Sequence, residues 1–204
     1  MIPSELLNQL IIQSRMQVKQ LSIEHWVKYE VFTLQWWIGI SCVILPLWIL
    51  WKFVDRRRLL KITAFGLLVC ILATFLDIVG SELLLWNYTV RILPQIPLLF
   101  PVDFVIVPIL YMLVYQRYEA WKPFLLASTI TSLALAFIAE PLAVYIKQYQ
   151  LIHWKYVYSF PIYIVLASFG KLFADKLLAL QNRSLKLANP DEAKPKVAAE
   201  QVAK

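Results

Sequence analysis

The sequence has little cysteine, glycine or charge for its length of 204 residues. Its two cysteines, Cys42 and Cys70, each lie inside an apolar run, which excludes a disulfide framework and a thiolate metal cluster. Only four glycines are present, and no phosphate-binding, dinucleotide-binding or nucleophile-elbow pattern occurs. We therefore expect no metal, no cofactor and no soluble-enzyme chemistry.

Hydrophobic residues, in contrast, make up 60% of the chain, whereas soluble domains are typically about 45–50% apolar. The formal net charge is +7. Because the bases lie mostly in loops and in the tail, a nucleic-acid partner is not expected, and the anionic surface of a lipid bilayer is. This composition predicts an integral membrane protein.

Apolar runs of about 20 residues can cross a bilayer as α-helices, because the helix satisfies its own backbone groups. The predicted spans are Trp36–Val54, Ile62–Leu85, Pro97–Tyr115, Phe124–Ile146 and Tyr156–Ala174. Tryptophans and tyrosines cluster at their ends, as is typical of membrane interfaces. The predicted fold class is all-α: a bundle of five transmembrane helices over residues 35–175.

Lysines and arginines are distributed unevenly between the two sides of this bundle. With the amino terminus outside, eleven bases near the spans face inward and six face outward, and DRRRLLK at 55–61 contributes most to the difference. Cytoplasmic loops carry an excess of these bases. We therefore predict a multi-pass protein of the cell membrane with its amino terminus outside and its carboxyl terminus inside.

Two terminal segments flank the predicted bundle. Residues 1–34 are predicted to form an extracytoplasmic amphipathic arm that lies on the outer leaflet or, equally, binds a partner protein. The apolar face of this arm consists of Leu7, Leu10, Ile11, Val18 and Leu21. Residues 176–204 are predicted to be a cytoplasmic basic tail, and its distal part, which has almost nothing to bury, is predicted to be disordered.

Three carboxylates lie inside predicted spans: Asp77, Asp103 and Glu140. A charge deep in a bilayer costs about 2.5–3.5 kcal/mol, so each indicates a pairing or a function. With a rise of about 1.5 Å per residue, Asp77 lies about 12 Å from the outer end of its helix, and the other two about 9 Å from theirs. These depths predict that the three meet in the outer half of the bundle.

The outer loops contain candidate partners for these carboxylates. Arg91 is the preferred one, because a guanidinium can bind a carboxylate bidentately. His153 could titrate near neutral pH or be an ordinary interfacial residue. Pro101 and Pro141, next to Asp103 and Glu140, can leave backbone carbonyls free to line a cavity. The alternative interpretation is that the carboxylates are protonated or only fix helix packing.

The stretch RILPQI, followed by FPVDFVIVP, the acid Glu140 and HWKYVYSF, resembles a family of small multi-span membrane proteins of spore-forming Gram-positive bacteria whose activity is not known. The resemblance covers about residues 91–160. It implies a bacterial plasma-membrane protein linked to spore or envelope biology, with Arg91, Asp103, Glu140 and Trp154 at the polar positions of the family. The long amino-terminal arm departs from the compact family pattern.

A fainter similarity connects Asp77, Trp86, Tyr88, Pro101 and Asp103, by their order, to membrane domains of the lycopene-cyclase type. It implies an isoprenoid- or carotenoid-modifying enzyme in which the buried acids exchange protons with a polyene. The acid pair of that pattern is incomplete here, because phenylalanine follows Asp103 and cannot transfer a proton.

We therefore predict a non-catalytic binding or accessory protein with a polar pocket for a lipid or amphiphile, or with a membrane-protein partner. The candidate site residues are Asp77, Arg91, Asp103, Glu140, His153 and Trp154. The alternatives are the isoprenoid-modifying enzyme and a proton- or cation-coupled transporter. An odd number of spans and the lack of an internal repeat argue against the transporter.

Overall fold

The computed structural model describes residues 3–94 and 101–188. Helices form most of this part of the chain: α1 Ser4–His25, α2 Leu34–Phe53, α3 Leu59–Glu82, α4 Val107–Arg117, α5 Trp121–Ala134, α6 Glu140–Tyr145 and α7 Tyr156–Ala188. A short 3-10 turn lies at Arg56–Arg58. Three short π turns lie at Trp26–Glu30, Val102–Ile106 and Leu135–Ala139. Strands β1 Trp86–Tyr88 and β2 Tyr149–Leu151 pair antiparallel, with Tyr88 opposite Tyr149. The predicted all-helical class is confirmed, with this ribbon added.

Helical segments that are long and apolar enough to cross a membrane occur four times: Leu34–Phe53, Arg56–Glu82, Trp121–Tyr145 and Tyr156–Gln181. In the most apolar 18-residue stretch of the first segment, only 6% of the residues are buried inside the protein. Large exposed apolar surfaces of this kind mark contact with a membrane or a protein. The chain therefore has the helices of a membrane protein.

The predicted third span, Pro97–Tyr115, is described only in part, because residues 97–100 lie outside the described residues. From Pro101 the chain forms a π turn and then α4, which ends at Arg117. This portion is shorter than the four segments above, so the described residues contain four helices long enough to cross a membrane and not five.

The predicted boundary between bundle and tail, after residue 175, lies within one continuous helix. Helix α7 passes through residue 176 without a break and reaches Ala188. The predicted last span, Tyr156–Ala174, is therefore only the first part of a longer helix. The distal tail, 189–204, lies outside the described residues.

Helix α3 occupies the centre of the bundle, where it packs against α4 and α7. The rings of Phe65 and Tyr115 stack with centroids 4.2 Å apart, and Phe124 meets both edge-on at 6.3 Å. Such pairs contribute about 0.5–1.5 kcal/mol beyond their burial. A Cβ on Gly66 would overlap the side chain of Met112, so this glycine allows α3 and α4 to approach closely.

Arg58 connects two loops at one end of the bundle, which we call the arginine end. Its Nε donates to Asp55 at 2.8 Å, its Nη2 donates to the carbonyl of Gln116 at 2.9 Å, and its Nη1 donates to Glu119. The hydrogen bond from Arg58 lowers the pKa of Asp55. These contacts hold the α2–α3 loop against the loop after α4.

The ribbon lies at the opposite end, which we call the ribbon end. Each strand follows a helix end that turns through a non-glycine residue with positive φ, Leu84 at 53° and Lys147 at 60°. This left-handed conformation costs about 1–2 kcal/mol for such residues. The backbone contacts of the ribbon offset that cost: Ile152 and His153 both donate to the carbonyl of Leu85, at 3.0 and 2.9 Å.

Candidate functional site

A cavity of about 280 Å³ lies at the ribbon end, between α3, α6, α7 and the ribbon. Its walls are mostly apolar, and three carboxylates line it: Asp77, Asp103 and Glu140. None of the described residues that line it is Lys, Arg or His. The volume is close to the lower limit of small-molecule pockets, which span about 300–1,000 Å³.

Asp103 reaches the cavity from a π turn that precedes a proline. The turn Val102–Ile106 ends where the N–H of Val107 donates to the carbonyl five residues earlier, and Pro108 follows. Proline has no N–H, and its ring crowds the carbonyl four residues before it. The extra residue of a π turn accommodates the missing N–H and the crowded carbonyl. Such turns are frequent at functional sites.

Glu140 is positioned by the same device on a different helix. The π turn Leu135–Ala139 ends where the N–H of Glu140 donates to the carbonyl of Leu135, and Pro141 follows. The sequence predicted backbone breaks at Pro101 and Pro141. In the structure the prolines that come two residues after the π turns are Pro108 and Pro141, while Pro101 precedes the first turn.

Asp77, which is 5% exposed, is bound to the ribbon. Its Oδ1 accepts a hydrogen bond from Trp86 Nε1 at 2.9 Å and another from the hydroxyl of Tyr88. The ring of Trp86 reaches α3 because Gly80 leaves room: a Cβ at that position would overlap the indole. Two aromatic side chains of the ribbon are thereby fixed on the cavity wall.

The phenols of the ribbon are themselves held in a buried pair. The rings of Tyr88 and Tyr149 stack with centroids 5.7 Å apart. Burial raises the pKa of both hydroxyls, and the nearby carboxylates raise it further. Both phenols therefore remain neutral hydrogen-bond donors at physiological pH.

Glu140 accepts hydrogen bonds on both oxygens from α7. Ser159 Oγ and the Tyr163 hydroxyl each donate to it at 3.0 Å. Trp154 Nε1 donates to the same Ser159 Oγ at 2.9 Å, so Trp154 is linked to Glu140 through one hydroxyl. These donors orient the carboxylate toward the cavity.

Within the described residues, Asp103 has fewer hydrogen-bond partners than Asp77 and Glu140. Its carboxylate accepts a hydrogen bond from its own backbone N–H. In residues 3–94 and 101–188 no other side chain donates to it within hydrogen-bond distance. An ionised carboxylate can accept about four hydrogen bonds, so Asp103 is the lining acid with the most remaining capacity for a ligand.

The structure does not bring Arg91 to these carboxylates. Its backbone N–H donates to Glu30 Oε2 at 2.6 Å, and its carbonyl accepts from Trp26 Nε1 at 2.9 Å. Within the described part of the chain Arg91 forms no ion pair. The arm holds the loop that carries Arg91, and this explains why the predicted pairing with a cavity acid is not seen.

Glu30, in turn, was not predicted as a site residue. It is 1% exposed, and its other oxygen lies 2.8 Å from His25 Nδ1. In the sequence it is one of several charges of the arm, and nothing distinguishes it from Glu24 or Glu5. Its burial depends on a contact with residue 91, which is remote in the sequence.

The remaining two predicted residues have different positions. Trp154 lines the cavity, with its ring edge-on to Trp86 at 5.1 Å. His153 is exposed, and its Nδ1 lies 3.4 Å from the carbonyl of Leu84. Sequence reasoning missed Ser159 and Tyr163 as Glu140 donors, although their spacing of four places both on one face of a helix.

The acids of this cavity can accept hydrogen bonds or pair with a cation. The apolar and aromatic walls can contact a hydrocarbon chain. Nothing in it indicates a nucleophile activated by a base. Comparison of the chain with protein-family models, curated proteins and solved structures found no match.

Proposed function

We propose that this chain is a non-catalytic membrane protein that binds an amphiphile in the cavity at its ribbon end. The observation that carries the proposal is the cavity itself, in which Asp77, Asp103 and Glu140 lie in walls that are mostly apolar and aromatic. Ligand pockets typically combine apolar lining with a few placed polar groups. A molecule with a polar end and a hydrocarbon part fits both kinds of surface.

We also propose the complete membrane topology. The segment Pro97–Tyr115 supplies a fifth span beside the four long apolar helices, and the amino terminus lies outside. The charge asymmetry supports this orientation, because Arg56–Arg58 lie at the arginine end, the predicted inner side. The ribbon end then faces outward, and the proposed location is the bacterial plasma membrane.

An isoprenoid-modifying enzyme is less well supported than binding. Phe104, which follows Asp103, is 46% exposed and is not among the residues that line the cavity. Asp77 and Glu140 each accept hydrogen bonds from two side chains, which favours a fixed role for both acids. The geometry therefore supports recognition more than proton transfer.

Filling the cavity should weaken ligand retention. Ala143 is half-buried on α6 and lines the cavity, so Ala143→Phe should occupy the ligand volume. After incubation with a total lipid extract, native mass spectrometry of the wild type should show a discrete bound mass. In Ala143→Phe we expect the dissociation constant of this species to rise about ten-fold, equivalent to a loss of about 1.4 kcal/mol of binding free energy.

The matched control is Ala134→Phe, at an exposed position of α5 outside the cavity, which should retain the wild-type occupancy. Thermal unfolding of each variant reports whether the bundle is intact. The proposal is wrong if the wild type retains no discrete species, or if an intact Ala143→Phe retains it as well as the wild type does.

A further inference from the structure

The acids of the cavity have no basic counterpart among the described residues that line it. Asp77, Asp103 and Glu140 are lining residues, and no described lining residue is Lys, Arg or His. An ionised carboxylate in an apolar environment costs several kcal/mol unless it is paired. A cationic ligand would supply this pairing.

Aromatic rings surround the same space. The cavity is lined by Trp86, Tyr88, Tyr149, Trp154 and Tyr163. The face of an aromatic ring attracts a cation, and the attraction is stronger when the site is desolvated. Organic ammonium groups, whose carbon substituents also pack on rings, fit this combination of carboxylates and aromatic side chains.

A bare metal ion fits this lining less well. Divalent Ca²⁺ or Mg²⁺ is held by about six or more oxygens in close coordination. Among the described residues no group of three Asp, Glu, His or Cys side chains is arranged to hold a metal ion. The aromatic and apolar lining favours a soft organic cation with attached hydrocarbon.

The protein already binds an ammonium in this way at its other end. Lys171 Nζ lies 2.9 Å from Asp175 Oδ2, and it lies 4.9, 5.3 and 5.2 Å from the ring centroids of Tyr115, Trp121 and Phe124. This intramolecular site shows that carboxylate and aromatic groups in this bundle can hold a buried primary ammonium. The ribbon-end cavity has the same kinds of groups and no described lysine among its lining residues.

We propose that the amphiphile bound at the ribbon end carries a cationic amine headgroup, held by Asp103 between the aromatic walls of the cavity. This inference rests on the proposed function, since it specifies the headgroup of the ligand proposed there. Asp77 and Glu140 form the negatively charged surroundings, and the hydrocarbon part of the ligand contacts the apolar wall.

The test compares two probes that have the same hydrocarbon tail. The protein, in nanodiscs of zwitterionic phosphatidylcholine, is titrated with tetradecyltrimethylammonium and with the neutral tetraethylene glycol monotetradecyl ether, and empty nanodiscs give the background. The wild type should bind the cationic probe at least about ten-fold more tightly, as expected for a paired and desolvated cation. Asp103→Asn should remove most of this preference and leave the affinity for the neutral probe unchanged.

Two further variants keep the test decisive. Glu82→Gln, at an exposed residue outside the cavity, should bind both probes as the wild type does. Asp103→Glu keeps the charge and should keep the cationic preference, which separates charge from a loss of folding. Equal affinities of the wild type for both probes would overturn the headgroup inference and leave amphiphile binding intact. Failure of both probes to bind would overturn the proposed function as well.

Discussion

Replacing Lys171 with alanine is expected to lower the free energy of unfolding by about 3 kcal/mol, the range for breaking a buried ion pair. The side chain is 1% exposed. Its Nζ pairs with Asp175 and donates to the carbonyl of Glu119 at 2.8 Å. The substitution removes these contacts and the aromatic contacts together, and it leaves a space that the surrounding rings cannot fill completely.

Equilibrium unfolding in mixed micelles measures this effect. Lys176→Ala, at an exposed position on the same helix, is the matched control and should change stability by less than about 0.5 kcal/mol. Lys171→Met keeps most of the volume and should recover part of the loss, which separates packing from charge. Equal stabilities of Lys171→Ala and Lys176→Ala would show that the buried ammonium does not hold the arginine end together.

Replacing Asp77 with alanine should detach the ribbon from α3. The substitution leaves two donors, Trp86 Nε1 and the Tyr88 hydroxyl, without their acceptor. A buried donor left unsatisfied costs about 1–3 kcal/mol, so the two together should cost about 3 kcal/mol. Hydrogen exchange at the backbone amides of the ribbon should accelerate in step with this loss.

Two other substitutions define what Asp77 contributes. Asp77→Asn retains one acceptor oxygen and should have a smaller effect on exchange in the ribbon. Asp55→Ala removes a carboxylate at the arginine end and should leave that exchange unchanged. Wild-type protection of the ribbon in Asp77→Ala would contradict the assigned role of this acid.

The sequence was sufficient to predict the helical class and the three acids that line the cavity. Asp77, Asp103 and Glu140 stand out because a carboxylate is costly in a hydrocarbon environment, and their matched depths predicted that they would lie together. The structure lines one cavity with all three. Orientation and the fifth span remain predictions.

The ribbon could not be predicted, for a physical reason. Strands of three residues are too short to show a period of two, and no glycine marks the turns before them. Leu84 and Lys147 adopt positive φ there instead. Trp86 and Tyr88 therefore appeared to be ordinary interfacial aromatics, although they are the hydrogen-bond donors to Asp77.

The partner of Arg91 was also beyond reach of the sequence. Opposite charge alone favoured an ion pair between Arg91 and a buried acid. Several basic loop residues and several acids could form such a pair, so charge does not identify the partners. Glu30 accepts the backbone N–H of Arg91, a contact that depends on how the arm folds back. Lys171 is a second residue whose contacts could not be predicted. It is one of the eleven bases counted on the predicted inner side, and the structure buries it.

Photo-crosslinking in intact membranes tests whether the ribbon-end cavity holds an amphiphile. Benzoylphenylalanine replaces Ile162, which lines the cavity on α7, and in a control it replaces Ile130, a position on α5 that is 59% exposed. After illumination, mass spectrometry identifies the adducts at each position. We expect one small molecule of defined mass at position 162 that is absent at position 130, where bulk phospholipid should dominate. The same mixture of bulk phospholipids at both positions would contradict this expectation.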